Sequence, residues 1–230
     1  MKVKALKAAF PFTIPVMIGY LFLGIGFGIL LTGKGYPWWL SPLMALFIYA
    51  GSMQFVAIDI FSKAFNPLNA LILTLTVNAR HLFYGLSMLT KFKAMDQKKP
   101  YLIFALTDET YSLLCSTEPP QGIDRNWFYF FIALLDQIYW VTGCTLGSVA
   151  GSLVKFNTTG IDFVMTALFV VIMVEQWESS KNHLPVLIGI GVSAICLLLF
   201  GKDLFILPSM ISILAIVTIF RKSIERRNVI

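Results

Sequence analysis

Charge is in short supply in this sequence: 13% of its 230 residues are Asp, Glu, Lys or Arg, 57% are hydrophobic, and the mean hydropathy is +0.78. A soluble domain carries roughly a quarter charged residues, so an ordinary soluble fold is excluded. Cysteine is also scarce. Cys115, Cys144 and Cys196 are odd in number, far apart and inside apolar segments, which argues against a disulfide framework or a thiolate metal site and leaves them as small apolar fillers. No HExxH, GxxxxGK(S/T) or dinucleotide-binding glycine pattern occurs. Nothing supplies Ser52 and His81 with a base or an oxyanion hole, so neither an enzyme nor a cofactor or metal is expected. Low-complexity tracts and long linkers are missing as well, the stretch at 116–126 with Pro119-Pro120 reading as a short loop.

What is present is a series of apolar stretches at about 8–31, 40–61, 68–89, 101–115, 127–154, 161–177, 184–200 and 204–220. A bilayer-spanning helix needs about 20 such residues, so the expectation is an all-α polytopic membrane protein, one domain over 1–230, with six to eight transmembrane segments. The first stretch follows Lys2, Lys4 and Lys7 as a signal peptide would, but its length, with Pro11 and Pro15 inside it, fits a retained helix. Two further basic groups are Lys91, Lys93, Lys98 and Lys99, then Arg221, Lys222, Arg226 and Arg227. They flank apolar segments and have no aromatic or Arg-rich groove beside them, so the partner they imply is a lipid bilayer and not a nucleic acid.

Positive-inside topology meets a conflict here, because three apolar segments separate the first two basic groups. One segment must be broken or re-entrant. The candidate is 40–61, where Tyr49-Ala50-Gly51-Ser52 tolerates unwinding, and 101–115 is a second, being short and carrying Asp108 and Glu109; placing Lys91 to Lys99 outside is the alternative. Trp38, Trp39, Tyr101, Trp127, Tyr129, Trp140 and Trp177 lie mostly near segment ends, as an aromatic belt does. Gly143, Gly147 and Gly151 form a flat face for close approach of a helix, in this chain or in a partner such as a second copy.

Ionisable residues at membrane depth are unfavourable by about 3 kcal/mol, which makes each a candidate functional group. Asn78-Ala79-Arg80-His81 lies near the middle of its segment. A helical turn puts Asn78 and His81 on one face and Arg80 with Tyr84 and Ser87 on another. The Arg80 fork suits a carboxylate, either of a substrate or of Asp59, Asp108, Glu109 or Asp136, and His81 suits a proton relay or a structural hydrogen bond. Asp108 and Glu109 cannot both ionise cheaply in an apolar stretch, so one is a candidate proton carrier unless both lie wet at the interface. Near Gly51 the free N–H groups of a broken helix, with Ser52 and Gln54, suit a substrate carboxylate; close helix packing is the plainer alternative. Asp136 is either a counter-ion for Arg80 or a helix–helix hydrogen bond.

In these same places the sequence resembles the AzlC family of bacterial permeases. The matches are Pro15 with Gly19-Tyr20 and Gly24-Ile25-Gly26-Phe27-Gly28; Tyr49-Ala50-Gly51-Ser52-Met53-Gln54-Phe55; Asn78-Ala79-Arg80-His81 with Tyr84-Gly85; and Leu106-Thr107-Asp108-Glu109, all within about the first 115 residues. The resemblance implies export of branched-chain amino acids (leucine, isoleucine, valine) across the bacterial cytoplasmic membrane, with a small AzlD-type membrane protein as partner. With no nucleotide-binding motif an ion gradient is the economical driving force, and the carboxylates favour protons, with sodium coupling or uncoupled efflux as the rival. A non-transporting subunit or scaffold that is active only with its partner is the second reading, and a transporter of another small amino acid or organic acid is the third.

Overall fold

The computed structural model describes residues 2–62, 66–93, 95–154 and 182–220, with isolated positions between 163 and 178. The expected segment at 161–177 and the basic group at 221–227 therefore lie largely outside the described residues. Every regular element among the described residues is helical. The chain divides into two units, Met1–Met165 and Thr166–Ile230.

In the first unit, α1 (Lys2–Gly33) and α7 (Arg125–Leu153) are long and apolar enough to cross a membrane. Between them come α2 (Leu40–Phe47), α3 (Gly51–Ser62), α4 (Pro67–Phe92), α5 (Lys99–Phe104) and α6 (Asp108–Ser116). The second unit holds α8 (Leu184–Leu204), whose Leu184–Gly201 part is long and apolar enough to cross, and α9 (Ile206–Ile219).

Glycine sets how α1 and α7 meet. A methyl at Gly28 would fall 2.3 Å from the Ser148 nitrogen, and one at Gly147 would fall 2.2 Å from the Ile25 carbonyl. At Gly143 the neighbours are Tyr20 and Leu21, and at Gly151 they are Ile29 and Thr32. The backbones touch, and the numbers rise together, so the two helices run parallel. The glycine face thus serves packing within the chain.

Both segments suspected of a break are interrupted. The first stops after Ile48, whose successor Tyr49 has φ +43°, and α3 restarts at Gly51. The strained residue is thus Tyr49, two residues before the glycine on which the expectation rested. A left-handed Tyr is unfavourable alone and persists because its surroundings hold it: the ring is buried and lies 6.1 Å from that of Phe104. The second stops at Phe104, and Thr107 in extended geometry caps α6, its Oγ1 accepting from the Thr110 N–H at 3.3 Å.

Contacts along α7 show that each broken segment turns back on itself. Ser41 bonds to the Cys144 carbonyl and the Leu46 carbonyl accepts from Gln137, so α2 descends α7. Then α3 climbs again, from Gly51 against Trp140 to Phe61 beside Tyr36 (6.2 Å between rings). From the other end, Lys98 lies over Trp127 and Tyr101 bonds to Gln137, after which α6 returns from Thr110 at Asp136 to Thr117 at Tyr129. The result is two opposed hairpins whose tips meet midway along α7. Non-helical backbone at that depth is tolerated where protein buries it, and Tyr49, Ala105 and Leu106 are all buried.

This turn-back accounts for the charge conflict. Lys2 and Lys98 both sit over the Trp127 ring, at 4.5 and 4.2 Å, so the first two basic groups share one end of the unit. The 40–61 segment begins and finishes at the opposite end of the unit, and α4 carries the chain back, its Lys91 lying over the Tyr129 ring at 4.6 Å.

Candidate functional site

The hairpin tips bring the polar residues of five parts of the chain together. Arg80 of α4 donates one guanidinium nitrogen to the Ser52 hydroxyl at the start of α3, and the other lies 2.6 Å from Asp108 at the start of α6. Tyr84, one turn along α4, donates to the other Asp108 oxygen and stacks on Tyr111 with ring centroids 4.4 Å apart. The beginnings of two half-helices, each with N–H groups that no helical carbonyl satisfies, are therefore pinned to one guanidinium. The Arg80 and Asp108 side chains keep 26% and 18% exposure.

Behind this pair lies a buried polar layer. Tyr20 of α1 donates to Glu109 at 2.8 Å and is 2.6 Å from the Thr107 hydroxyl. Thr110 donates to Asp136 at 2.8 Å. The indole N–H of Trp140 donates to Gln54 at 2.8 Å, under the spot where a Gly51 side chain would meet the Trp140 ring at 3.2 Å. Gln54 and Asp136 are fully buried, yet Gln54 Nε2 and Asp136 Oδ1 have no hydrogen-bond partner, nor does the Tyr49 hydroxyl. Unsatisfied buried polar atoms are rare and concentrate where a protein acts.

Of the residues singled out from sequence, Gly51, Ser52, Gln54, Arg80, Asp108, Glu109 and Asp136 all meet here. Asp108 is the observed ion partner of Arg80, whereas Asp136 takes its other expected role, a hydrogen bond between helices. The Asp59 side chain lies outside the described residues. Asn78 and His81 bond to none of these groups: His81 Nδ1 is 3.2 Å from the Asn78 carbonyl on its own helix, and its ring packs edge-on against that of Tyr84 with centroids 5.7 Å apart. Trp140 departs from its expected place in an aromatic belt. It is buried at the centre because Gly51 leaves room for its ring and Gln54 satisfies its N–H.

The family described as AzlC protein matches residues 15–154, a span that holds the part of α1 from Pro15 onward, both hairpins, α4 and α7. The chain belongs to the AzlC family. It is 50% identical over 225 residues, 98% of this chain and 89% of the relative, to the branched-chain amino acid transport protein AzlC of Bacillus subtilis. An uncharacterized membrane protein of Helicobacter pylori is 44% identical over 96% of this chain and 97% of its own length, and one of Haemophilus influenzae 40% identical over 97% and 92%. No solved structure matches the chain. In this AzlC chain every residue named in the polar centre, from Tyr20 to Trp140, lies inside the family match.

Sequence reasoning passed over Tyr20, Tyr49, Thr107 and Thr110 as site residues. Tyrosine and threonine do not stand out in an apolar run, and Tyr20 reaches Thr107 across 87 positions that only the fold brings together. The one usable signal was position: Thr107 and Thr110 bracket the two carboxylates.

Proposed function

We propose that this chain is a secondary transporter that exports branched-chain amino acids across the bacterial cytoplasmic membrane, coupled to protons, and that it works with a small AzlD-type membrane partner. The carrying observation is the meeting of two half-helix N-termini at the Arg80–Asp108 pair, at the tips of hairpins from opposite ends. The name of the Bacillus subtilis relative supports the substrate class.

In this reading the substrate carboxylate binds the α3 N-terminus at Gly51 and Ser52 together with Arg80, and its ammonium group displaces Arg80 from Asp108. Gln54 supplies a further hydrogen bond, with Asn78 and His81 one face away on α4. Met53 and Phe55, beside these groups, suit an apolar side chain. Glu109 carries the coupling proton, since Asp108 is engaged by Arg80 while Glu109 is held by the neutral hydroxyl of Tyr20.

For topology we propose six crossings: α1, α4 and α7, then the apolar stretches 161–177, 184–200 and 204–220 counted from the sequence. An even count sets all three basic groups on the cytoplasmic side.

Purified chain in liposomes, alone and with a co-expressed small partner, tests the transport reading. Exchange of labelled leucine, isoleucine or valine in at least one preparation supports it, and exchange only with the partner makes the pair the transporter. Failure of both preparations to move any of the three, with correctly inserted protein, overturns it.

A further inference from the structure

A single continuous chain of hydrogen bonds links the partly buried Glu109 carboxylate to the fully buried Asp136 carboxylate. Glu109 Oε2 is 2.8 Å from the Tyr20 hydroxyl, which is 2.6 Å from Thr107 Oγ1; that atom is 3.0 Å from Thr110 Oγ1, which is 2.8 Å from Asp136 Oδ2. Tyr20, Thr107, Thr110 and Asp136 are all buried. The chain crosses three elements, from α6 through α1, back to the α6 cap, and on to α7.

Counting protons gives this geometry its meaning. Four links need four protons, and three hydroxyls supply only three. With both carboxylates ionised, one pair of oxygens in the chain would face each other with no hydrogen between them, in a buried place where such a bare contact is costly. One extra proton fills every link. On Glu109 it makes each group donate toward Asp136; on Asp136 it makes each donate toward Glu109. The Thr110 N–H, which also points at Thr107 Oγ1, fits either direction because a hydroxyl oxygen accepts twice.

We propose that Glu109 and Asp136 share one proton through Tyr20, Thr107 and Thr110, and that this chain is the relay between the substrate side of the centre and α7. Transfer is a concerted shift: the Glu109 proton passes to the Tyr20 oxygen, the Tyr20 proton to Thr107, the Thr107 proton to Thr110 and the Thr110 proton to Asp136. One proton moves, every hydroxyl ends neutral, and no electrons are exchanged. The surrounding groups that respond to this shift are Asp108 and Arg80 beside Glu109, and Tyr49 and Tyr101 beside Asp136. The role of the relay in transport rests on the proton-coupled reading above; the sharing of the proton does not.

Infrared spectroscopy of the purified full chain, titrated in detergent or lipid, reads the shared proton through the carbonyl band of a protonated carboxyl. Wild type should show one such group at neutral pH, and both Glu109→Gln and Asp136→Asn should shift or remove its band. Thr110→Val cuts the chain, and so does Tyr20→Phe at another link, so that if one variant fails to fold the other still tests it. In wild type the pair should titrate in two widely separated steps, one above and one below neutral pH; each cut variant should draw the two steps together, and Thr110→Ser should restore the separation. A wild type with both carboxylates ionised at neutral pH overturns the proposal, as does a folded cut variant that titrates like wild type. Uptake driven by a pH gradient is scored separately: its absence in wild type refutes coupling, while the infrared result stands on its own.

Discussion

Arg80 is held by Asp108, Ser52 and the two hairpin tips they belong to, so its loss removes more than one charge. Arg80→Ala should cost about 3 kcal/mol of stability, the lower end for breaking a buried pair because both side chains keep some exposure. Thermal unfolding in detergent measures this, and Asp108→Asn should lose less because its amide still accepts from Tyr84. At the exposed end, Glu118 accepts from Tyr129 at 2.9 Å and pairs with Lys91 and Arg125 at 3.3 and 3.6 Å. The Tyr129 hydrogen bond first, and these cations next, hold its carboxyl below the usual range. A depressed carboxyl ties the α6–α7 connection at neutral pH, and the tie is lost as pH falls through the depressed value. Amide exchange in residues 117–124 should therefore quicken, after correction for intrinsic rates, only below the ordinary carboxylate range. Glu118→Gln should be fast at neutral pH as well; identical exchange in the two proteins would contradict the tie. The charged residues of the site were legible because charge in an apolar run is conspicuous. The hydroxyls that connect them were not, since Tyr20 and Thr110 look like ordinary helix residues until the fold sets them against carboxylates.

Two elements fix the centre, the glycine seam between α1 and α7 and the opposed hairpins. Gly147→Ala would push a methyl onto the Ile25 backbone, which cannot rotate away, so it should destabilise the protein by about 1–3 kcal/mol, as overpacking does. Gly19→Ala, with open space around it, should be silent in the same thermal measurement. The hairpins make a sharper topological prediction. Cysteines placed at Gly35 and Asn66 should be labelled from one side of the membrane by an impermeant reagent, and cysteines at Gln97 and Gln121 from the other. Labelling of Asn66 from the opposite side to Gly35 would mean that 40–61 crosses, and would refute the re-entrant reading. The sequence carried the break itself, through the basic groups three segments apart and the small residues at 50–52. It did not carry the turn, because hydropathy measures length and polarity along the chain and says nothing of direction; only contacts such as Tyr36 with Phe61 and Lys98 with Trp127 reveal that.

At the scale of the whole molecule, the apolar exterior and the polar centre divide the work. Side chains such as Leu68, Leu75, Leu82, Leu86 and Leu89 expose more than half of their surface along α4, as a lipid-facing helix does, while Arg80 on the same helix turns inward to the hairpins. In the transport reading proposed above, a centre reached by half-helices from both ends serves as a site for approach from either side of the membrane, and Glu109 holds the driving proton. The central claim is that substrate and proton meet at these hairpin tips. Accumulation of labelled leucine in proteoliposomes under an imposed pH gradient, beside gradient-free exchange, tests it with wild type, Asp108→Asn and Glu109→Gln, adding the small partner where exchange requires it. The account predicts that wild type accumulates leucine, that Glu109→Gln keeps exchange while losing accumulation, and that Asp108→Asn weakens exchange itself; accumulation in Glu109→Gln at the wild-type level would contradict it.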